Sequence, residues 1–202
     1  GPHEDFQRYP RDLNRDMELL RPLKIDAVWT PGLSDIYPPG FQTYVTAGKV
    51  AQPLEGKVRS GHFKGVTTVV TKLFNITRPE RAYFGQKDAQ QVAVLEQMAR
   101  DLNFPVEIVV CPIIREADGL AMSSRNSYLN RQERRAAVVL YKALRAAQAL
   151  CNKGQRSARQ LRAVMNMVIA REPLAKTEYV SVCDPKNLKE LRAIKNDILF
   201  SM

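Results

Sequence analysis

Two short runs hold most of the side chains able to do chemistry. The first is Tyr83-Phe84-Gly85-Gln86-Lys87-Asp88-Ala89-Gln90-Gln91, and the second is Asp118-Gly119-Leu120-Ala121-Met122-Ser123-Ser124-Arg125-Asn126. Each packs glycine, cation, carboxylate, amide and hydroxyl groups beside apolar residues. Gly85 lets the backbone approach a ligand closely. Lys87 is a compact charge suited to phosphate oxygens. Asp88 can fix Lys87, take a ribose hydroxyl or touch a metal. Ser123 and Ser124 offer hydroxyl donors and Arg125 a guanidinium, a set that suits a polyphosphate, while Met122 can pack against a base. The same residues fit plainer duties: Asp88 as a helix cap, and Ser123 to Arg125 as a polar loop before a helix. Both runs in one chain favour a nucleotide-using enzyme. There is no G-x-G-x-x-G and no G-x-x-x-x-G-K-[ST], so a nucleotide is held without a dinucleotide fingerprint or a P-loop.

Arg59-Ser60-Gly61-His62-Phe63-Lys64-Gly65 precedes an apolar helix. A helix N-terminus with Arg59 and His62 is an anion site, or else a solvent-facing cap. Of Gln90 and Gln91, one faces a cleft and the other solvent. Asp12 and Asp16, one turn apart, suit magnesium or a plain helix surface. His3 and His62 are the only histidines and Cys111, Cys151 and Cys183 are scattered, a pattern that speaks against a zinc site. No G-x-S-x-G elbow supports a serine hydrolase.

These groups need elements to hold them. Asp12 caps a helix over Leu13 to Leu20, and Ile25 to Trp29 is a short strand. Phe41 to Val50 alternates as a strand or hairpin. Val66, Val69, Val70, Leu73 and Phe74 have helical spacing. Arg81 to Phe84 is a strand entering the Gly85 loop. Val92, Leu95, Ala99 and Leu102 form the stripe of the next helix. Val106 to Val110 reads as a strand of a sheet covered on both faces. Strand–helix–strand in this order predicts α/β with a parallel sheet, and puts the Gly85 loop at the sheet's carboxyl edge, where such folds bind ligands. Asn130 with Glu133 is a capping box opening one long helix to about Leu150. Gly154 ends it, Ser157 caps another helix, Glu178 to Cys183 is a strand, and Ile198 to Met202 is a last apolar run. A smaller α+β domain therefore begins near residue 113.

The 202 residues suffice for one sizeable core, or a medium domain plus a small one. The net charge of +10 fits anionic partners but does not choose between nucleic acid, ATP and small carboxylates. No run reaches the ~18 apolar residues of a membrane span, and no signal-peptide pattern opens the chain. Unclustered cysteines fit a reducing cytoplasm.

The combination resembles the pantoate–β-alanine ligases, also called pantothenate synthetases. The likeness runs through Gly1-Pro2…Glu4-Asp5-Phe6…Arg8-Tyr9-Pro10-Arg11, Leu54-Glu55-Gly56, Gly61-His62-Phe63…Gly65-Val66 and Lys72-Leu73-Phe74-Asn75-Ile76. It continues in Phe84-Gly85, Lys87-Asp88…Gln90-Gln91, Arg115-Glu116, Asp118-Gly119-Leu120-Ala121 and Ser123-Ser124-Arg125-Asn126…Tyr128-Leu129. Past about residue 150 it rests mainly on position. The resemblance implies a Rossmann-like domain over 1–112, with its N-terminal part absent, and a C-terminal lid domain over 113–202. It implies ATP-dependent condensation of (R)-pantoate with β-alanine through a pantoyl adenylate, releasing AMP and pyrophosphate.

By the same resemblance Gly85, Gln86, Lys87, Asp88, Ile114, Met122, Ser123, Ser124 and Arg125 bind ATP. Among these, Lys87, Ser123, Ser124 and Arg125 would be catalytic. Gln91, Arg59 and His62 bind pantoate, and Asp16 goes with Mg2+. A cytoplasmic homodimer is implied, with neither nucleic acid nor membrane as partner. Gln86 stands where the family usually has Glu, Ala89 where it often has an aromatic, and Arg15 where Asp16 usually has an acidic neighbour. The family's M-G-A-L-H-x-G-H loop, with its catalytic histidine, is expected before Gly1, and an A-R-L-I-D-N-like strand after Met202. A truncated chain without catalysis, keeping only part of the ligand or dimer surface, is the alternative expectation.

Overall fold

The computed structural model describes Asp5 and residues 7–202. Gly1, Pro2, Glu4 and Phe6 of the opening motif, and His3, lie outside them.

Helix α1 (Leu13–Leu20) starts as its sequence dictates: Asp12 Oδ1 accepts the Arg15 N–H at 3.0 Å. Ile25 to Trp29 forms no strand, and Ile25 and Trp29 are about half exposed. An extended run needs a ladder partner, and none lies beside it among the described residues. Helix α2 (Leu33–Ile36) buries Ile36. The second strand expectation, Phe41 to Val50, also fails. Side chains of a later helix take the main-chain groups of Val45: its N–H donates to Thr68 Oγ1 at 3.0 Å, and its carbonyl accepts from Thr67 Oγ1 at 2.7 Å. Helix α3 (Glu55–Val58) and helix α4 (His62–Thr77) follow.

The nucleus of the first half is a β-α-β unit. Strand β1 (Arg81–Gly85), helix α5 (Ala89–Asp101) and strand β2 (Glu107–Cys111) lie in that order. The strands are parallel, with Arg81 opposite Glu107 and Gly85 opposite Cys111. Val70, Phe74, Leu95 and Met98 form the core between α4, α5 and the sheet. Among the described residues the sheet is covered on one face only: Ala82, Phe84 and Ile108 pack against that core, while Tyr83 on the other face is exposed. Leu102 also lies outside the core, because α5 ends at Asp101 and Met98 takes the inward place.

Beyond β2, residues 114–122 fold as a hairpin-like loop, with Met122 N–H on Ile114 O at 2.9 Å and Glu116 N–H on Leu120 O at 2.8 Å. Asn130 and Glu133 build the expected capping box, but the expected single helix is two, α6 (Arg131–Ala136) and α7 (Val139–Asn152). Leu140 N–H reaches back only three residues, to Ala137 O, and this tightens the backbone between them. Gly154, in the left-handed region at φ 91°, ends α7. Ser157 caps helix α8 (Ala158–Ile169). The expected strand at Glu178 to Cys183 shortens to β3 (Ser181–Cys183), antiparallel to β4 (Leu199–Ser201). Ala143, Ala147, Leu161, Met165 and Val182 form a second core. A third cluster joins the halves: Ala93 of α5 packs with Cys183 and Leu188, flanked by Val50, Leu54 and Leu199. The architecture is a Rossmann-like parallel sheet, two-stranded among the described residues, followed by a smaller α+β portion. Among the described residues no helix is long and apolar enough to cross a membrane.

Candidate functional site

The parallel register sets the site's first edge. Gly85 ends β1 beside Cys111, which ends β2, so both following loops leave from the sheet's carboxyl edge. Gln86 to Asp88 form a tight 3-10 turn leading into α5. Lys87 Nζ lies 3.1 Å from Asp88 Oδ1, with both side chains substantially exposed. The aspartate makes no side-chain cap on α5. It is engaged with the lysine, which is one of the duties read from the sequence.

The hairpin after β2 presents a second element. The Met122–Ile114 main-chain bond sets two exposed apolar residues opposite one another across that hairpin. Its shape has local causes. Gly119 has φ 94°, and a Cβ there would lie 1.9 Å from Tyr141 Cδ1. Arg134 holds Asp118 at 2.8 Å, and the Arg115 guanidinium lies over the Tyr141 ring at 4.6 Å. The hairpin is thus fastened to α6 and α7. The Arg134 guanidinium also holds the Asp118 carboxyl below the usual range.

Ser123, Ser124 and Arg125 follow at once. Ser123 Oγ accepts the Arg125 N–H, and Asn126 Nδ2 donates to Ala121 O at 3.1 Å. Arg125 is clamped by Asp5: Nε to Oδ2 at 2.7 Å and Nη2 to Oδ1 at 2.8 Å. The Tyr128 hydroxyl donates to the same carboxylate at 3.1 Å, Tyr9 OH donates to Ser124 Oγ at 3.4 Å, and the guanidinium stands 5.2 Å from the Tyr9 ring centre. The Arg125 hydrogen bond, with help from Tyr128, pulls the Asp5 carboxyl down to about 2. A guanidinium has five N–H donors, and the fork to Asp5 leaves others for an incoming oxyanion.

Arg59 and His62 are brought together by a turn in which His62 N–H donates to Arg59 O at 3.1 Å. Arg59 Nη1 pairs with Glu55 Oε2 at 3.1 Å. His62 opens the sixteen-residue α4 behind Gly61, whose φ is 78°. Gln91 is half-buried on the first turn of α5. Its neighbour Gln90 is not solvated: it is buried and bonded to the Val50 to Glu55 segment. Arg59 also lines a cavity of about 530 Å³ with Glu55, Leu129, Leu140, Tyr179 and Met202, between the two halves of the chain.

Asp16 stands exposed on α1, and Asp12 is committed to the helix cap. Among the described residues no group of three His, Cys, Asp or Glu side chains could hold a metal. Asp16 therefore belongs to no such group among them.

The family model for pantoate–β-alanine ligase matches residues 1–202. The chain belongs to the pantoate–β-alanine ligase family. It is 59% identical over 202 residues to the pantothenate synthetase of Roseiflexus sp. (strain RS-1), covering all of this chain and 73% of that protein. It is 50% identical over 202 residues to the pantothenate synthetase of Acetivibrio thermocellus, covering 72% of that protein. The crystal structure of pantothenate synthetase from Thermus thermophilus superposes with a TM-score of 0.95 at 43% identity, over 98% of this chain and 72% of that one. The pantoate–β-alanine ligase of Francisella tularensis, solved with β-γ ATP and β-alanine, gives a TM-score of 0.73 at 35% identity, over 90% of this chain and 65% of that one.

On this ligase scaffold the sequence reading missed Asp5 and Tyr9 as partners of Arg125 and Ser124, Tyr128 as a second donor to Asp5, and Gln90 as the amide bonded to the Val50 to Glu55 segment. Asp5 and Tyr9 stand in a motif quoted for the resemblance. Their contact with Arg125 and Ser124, more than a hundred residues away, carries no local signal.

Proposed function

We propose that the chain condenses (R)-pantoate with β-alanine, using ATP, through a pantoyl adenylate. The pantoate carboxylate oxygen attacks the α-phosphorus, and the bond to pyrophosphate breaks. The neutral β-alanine amine then attacks the acyl carbon. The C–O bond to AMP breaks, the amide forms, and the amine's proton leaves to solvent. One anion must approach another, so catalysis here is chiefly positioned positive charge.

The observation that carries this reading is convergence. Register and one main-chain bond bring the Gly85 loop, Ile114 and Met122 to one sheet edge, in a chain of this family. We assign Gly85, Gln86, Lys87 and Asp88 to the nucleotide, with Lys87 on phosphate. Ile114 and Met122 offer an apolar seat for the base, and Ser123, Ser124 and Arg125 take phosphate oxygens. Gln91, Arg59 and His62 take pantoate. Magnesium would enter with the triphosphate and neutralise it, with Asp16 as one protein carboxylate. We place the domain boundary near residue 112, after β2, with 113–202 as the lid. A homodimer follows from the same resemblance, and sedimentation tests it.

The deciding experiment uses pantoate labelled with 18O in its carboxylate. One label should appear in AMP, because that oxygen stays on phosphorus when the acyl bond breaks. Unlabelled AMP, or ADP as product, would overturn the adenylate route.

A further inference from the structure

Of the two glutamines opening α5, the one not assigned to substrate is the better bonded. Gln90 is 3% exposed. Its side-chain carbonyl accepts the Glu55 N–H at 3.0 Å, and its amide nitrogen donates to Pro53 O at 2.8 Å and Val50 O at 3.2 Å. A primary amide has two N–H donors and a carbonyl, and this one uses all three groups on a single loop.

That loop does not hold its shape unaided. Pro53 and Glu55 flank Leu54, whose φ of 52° and ψ of −122° an L-residue rarely adopts. Gly56 lies so close under the chain that a Cβ would sit 1.8 Å from Ala51 O. The Gln90 amide therefore clamps both sides of a disfavoured backbone conformation. Its consequence appears one turn later. Glu55 opens α3, its carboxylate holds Arg59 Nη1 at 3.1 Å, and Arg59 O accepts the N–H of His62. A continuous bonded path runs from the first turn of α5 to Arg59 and the start of α4. The tight turn carrying Lys87 and Asp88 adjoins that same turn of α5.

We infer that Gln90 is a positioning residue: by clamping Pro53 to Glu55 it sets Arg59 relative to the nucleotide loop, and so governs pantoate affinity. The inference rests on the reading of Arg59 as a pantoate group. A core amide with no such role would, on removal, lower stability without separating one substrate from the other.

The test compares Gln90→Leu, Gln90→Glu, Arg59→Ala and the double variant Gln90→Leu/Arg59→Ala. It measures pantoate and ATP dissociation constants by calorimetry, and amide exchange over residues 50–62. Gln90→Leu should weaken pantoate about tenfold, leave ATP within about twofold and speed exchange at the Glu55 amide. The double variant should bind pantoate no worse than Arg59→Ala alone, because the two residues act on one path. Gln90→Glu keeps the acceptor and, held protonated by burial, one of the two donors, so it should fall between wild type and Leu. If Gln90→Leu does not fold, this isosteric variant decides by the same comparison. Unchanged pantoate affinity in Arg59→Ala would overturn the Arg59 assignment, and the inference with it. Pantoate weakened by Arg59→Ala but not by the Gln90 variants, multiplicative losses in the double variant, or equal losses of ATP and pantoate affinity would overturn the inference alone.

Discussion

Lys87 and Arg125 are both paired with a carboxylate, but differently. Lys87 meets Asp88 in an exposed contact between sequence neighbours. Such pairs are worth about 0–1 kcal/mol, so Lys87→Ala should leave the unfolding midpoint nearly unchanged. Loss of one positioned charge at the reacting phosphate should instead cost ~2–4 kcal/mol in adenylate formation. Pantoate-dependent exchange of labelled pyrophosphate into ATP measures this, and near-normal exchange removes Lys87 from the site. Arg125 is held from afar by the two-point fork to Asp5. That contact makes a pH prediction. The Asp5 carboxyl is lowered from 3.8 to about 2, chiefly by the Arg125 hydrogen bond. A depressed carboxylate contributes stability above its unfolded value and loses it as pH falls through the folded one. The clamp should therefore hold at neutral pH and open between about pH 4 and pH 2. Carboxyl-carbon NMR titration should find Asp5 near the low value in wild type and back in the ordinary range in Arg125→Ala. The types of these residues were legible in the sequence. Their partners were not, because nothing local marks a contact across 120 positions.

At the scale of elements, what was legible is what local chemistry decides. The caps at Asp12, Asn130 and Ser157 follow from a side-chain oxygen and the next two or three N–H groups. The strand expectations at Ile25 to Trp29 and Phe41 to Val50 failed because neither a short apolar run nor alternation says whether a ladder partner exists. Thr67 and Thr68, buried on α4, supply Val45 with hydrogen bonds instead. The 114–122 hairpin gives a sharper test. Gly119→Ala must place a Cβ at φ 94° and drive it into Tyr141. The left-handed backbone and the overlap together should cost at least about 2 kcal/mol in chemical unfolding. Adding Tyr141→Ala removes the clash but leaves the backbone strain, so the double variant should fall short of the sum of the single losses. Additive losses would mean that the hairpin does not rest on α7.

For the molecule as a whole, the sequence separates two portions near residue 113, while the packing joins them. Each portion has its own core, around Leu95 and Met98 in one and Leu161 and Met165 in the other. Between them lies the cluster of Ala93, Cys183 and Leu188, with Val50 and Leu54 at its margin. Leu188 is the joint's largest buried side chain, 1% exposed, on a loop with φ 59°. It reaches α5 on the helix that also carries Gln90 and Gln91, so the joint lies under the candidate site. Leu188→Ala should destabilise the protein by about 2–5 kcal/mol. The manner of the loss is the informative part. If this cluster couples the halves, wild type should melt in one calorimetric transition whose van't Hoff and calorimetric enthalpies agree. The variant should then melt in two, with the Leu161 core and the β1–β2 core separating. A single transition merely shifted to lower temperature would show that the halves are coupled elsewhere, through the Arg59 cavity or the Asp5–Arg125 clamp. Arg125→Ala, measured in the same calorimeter, separates those two routes: splitting there assigns the coupling to the clamp.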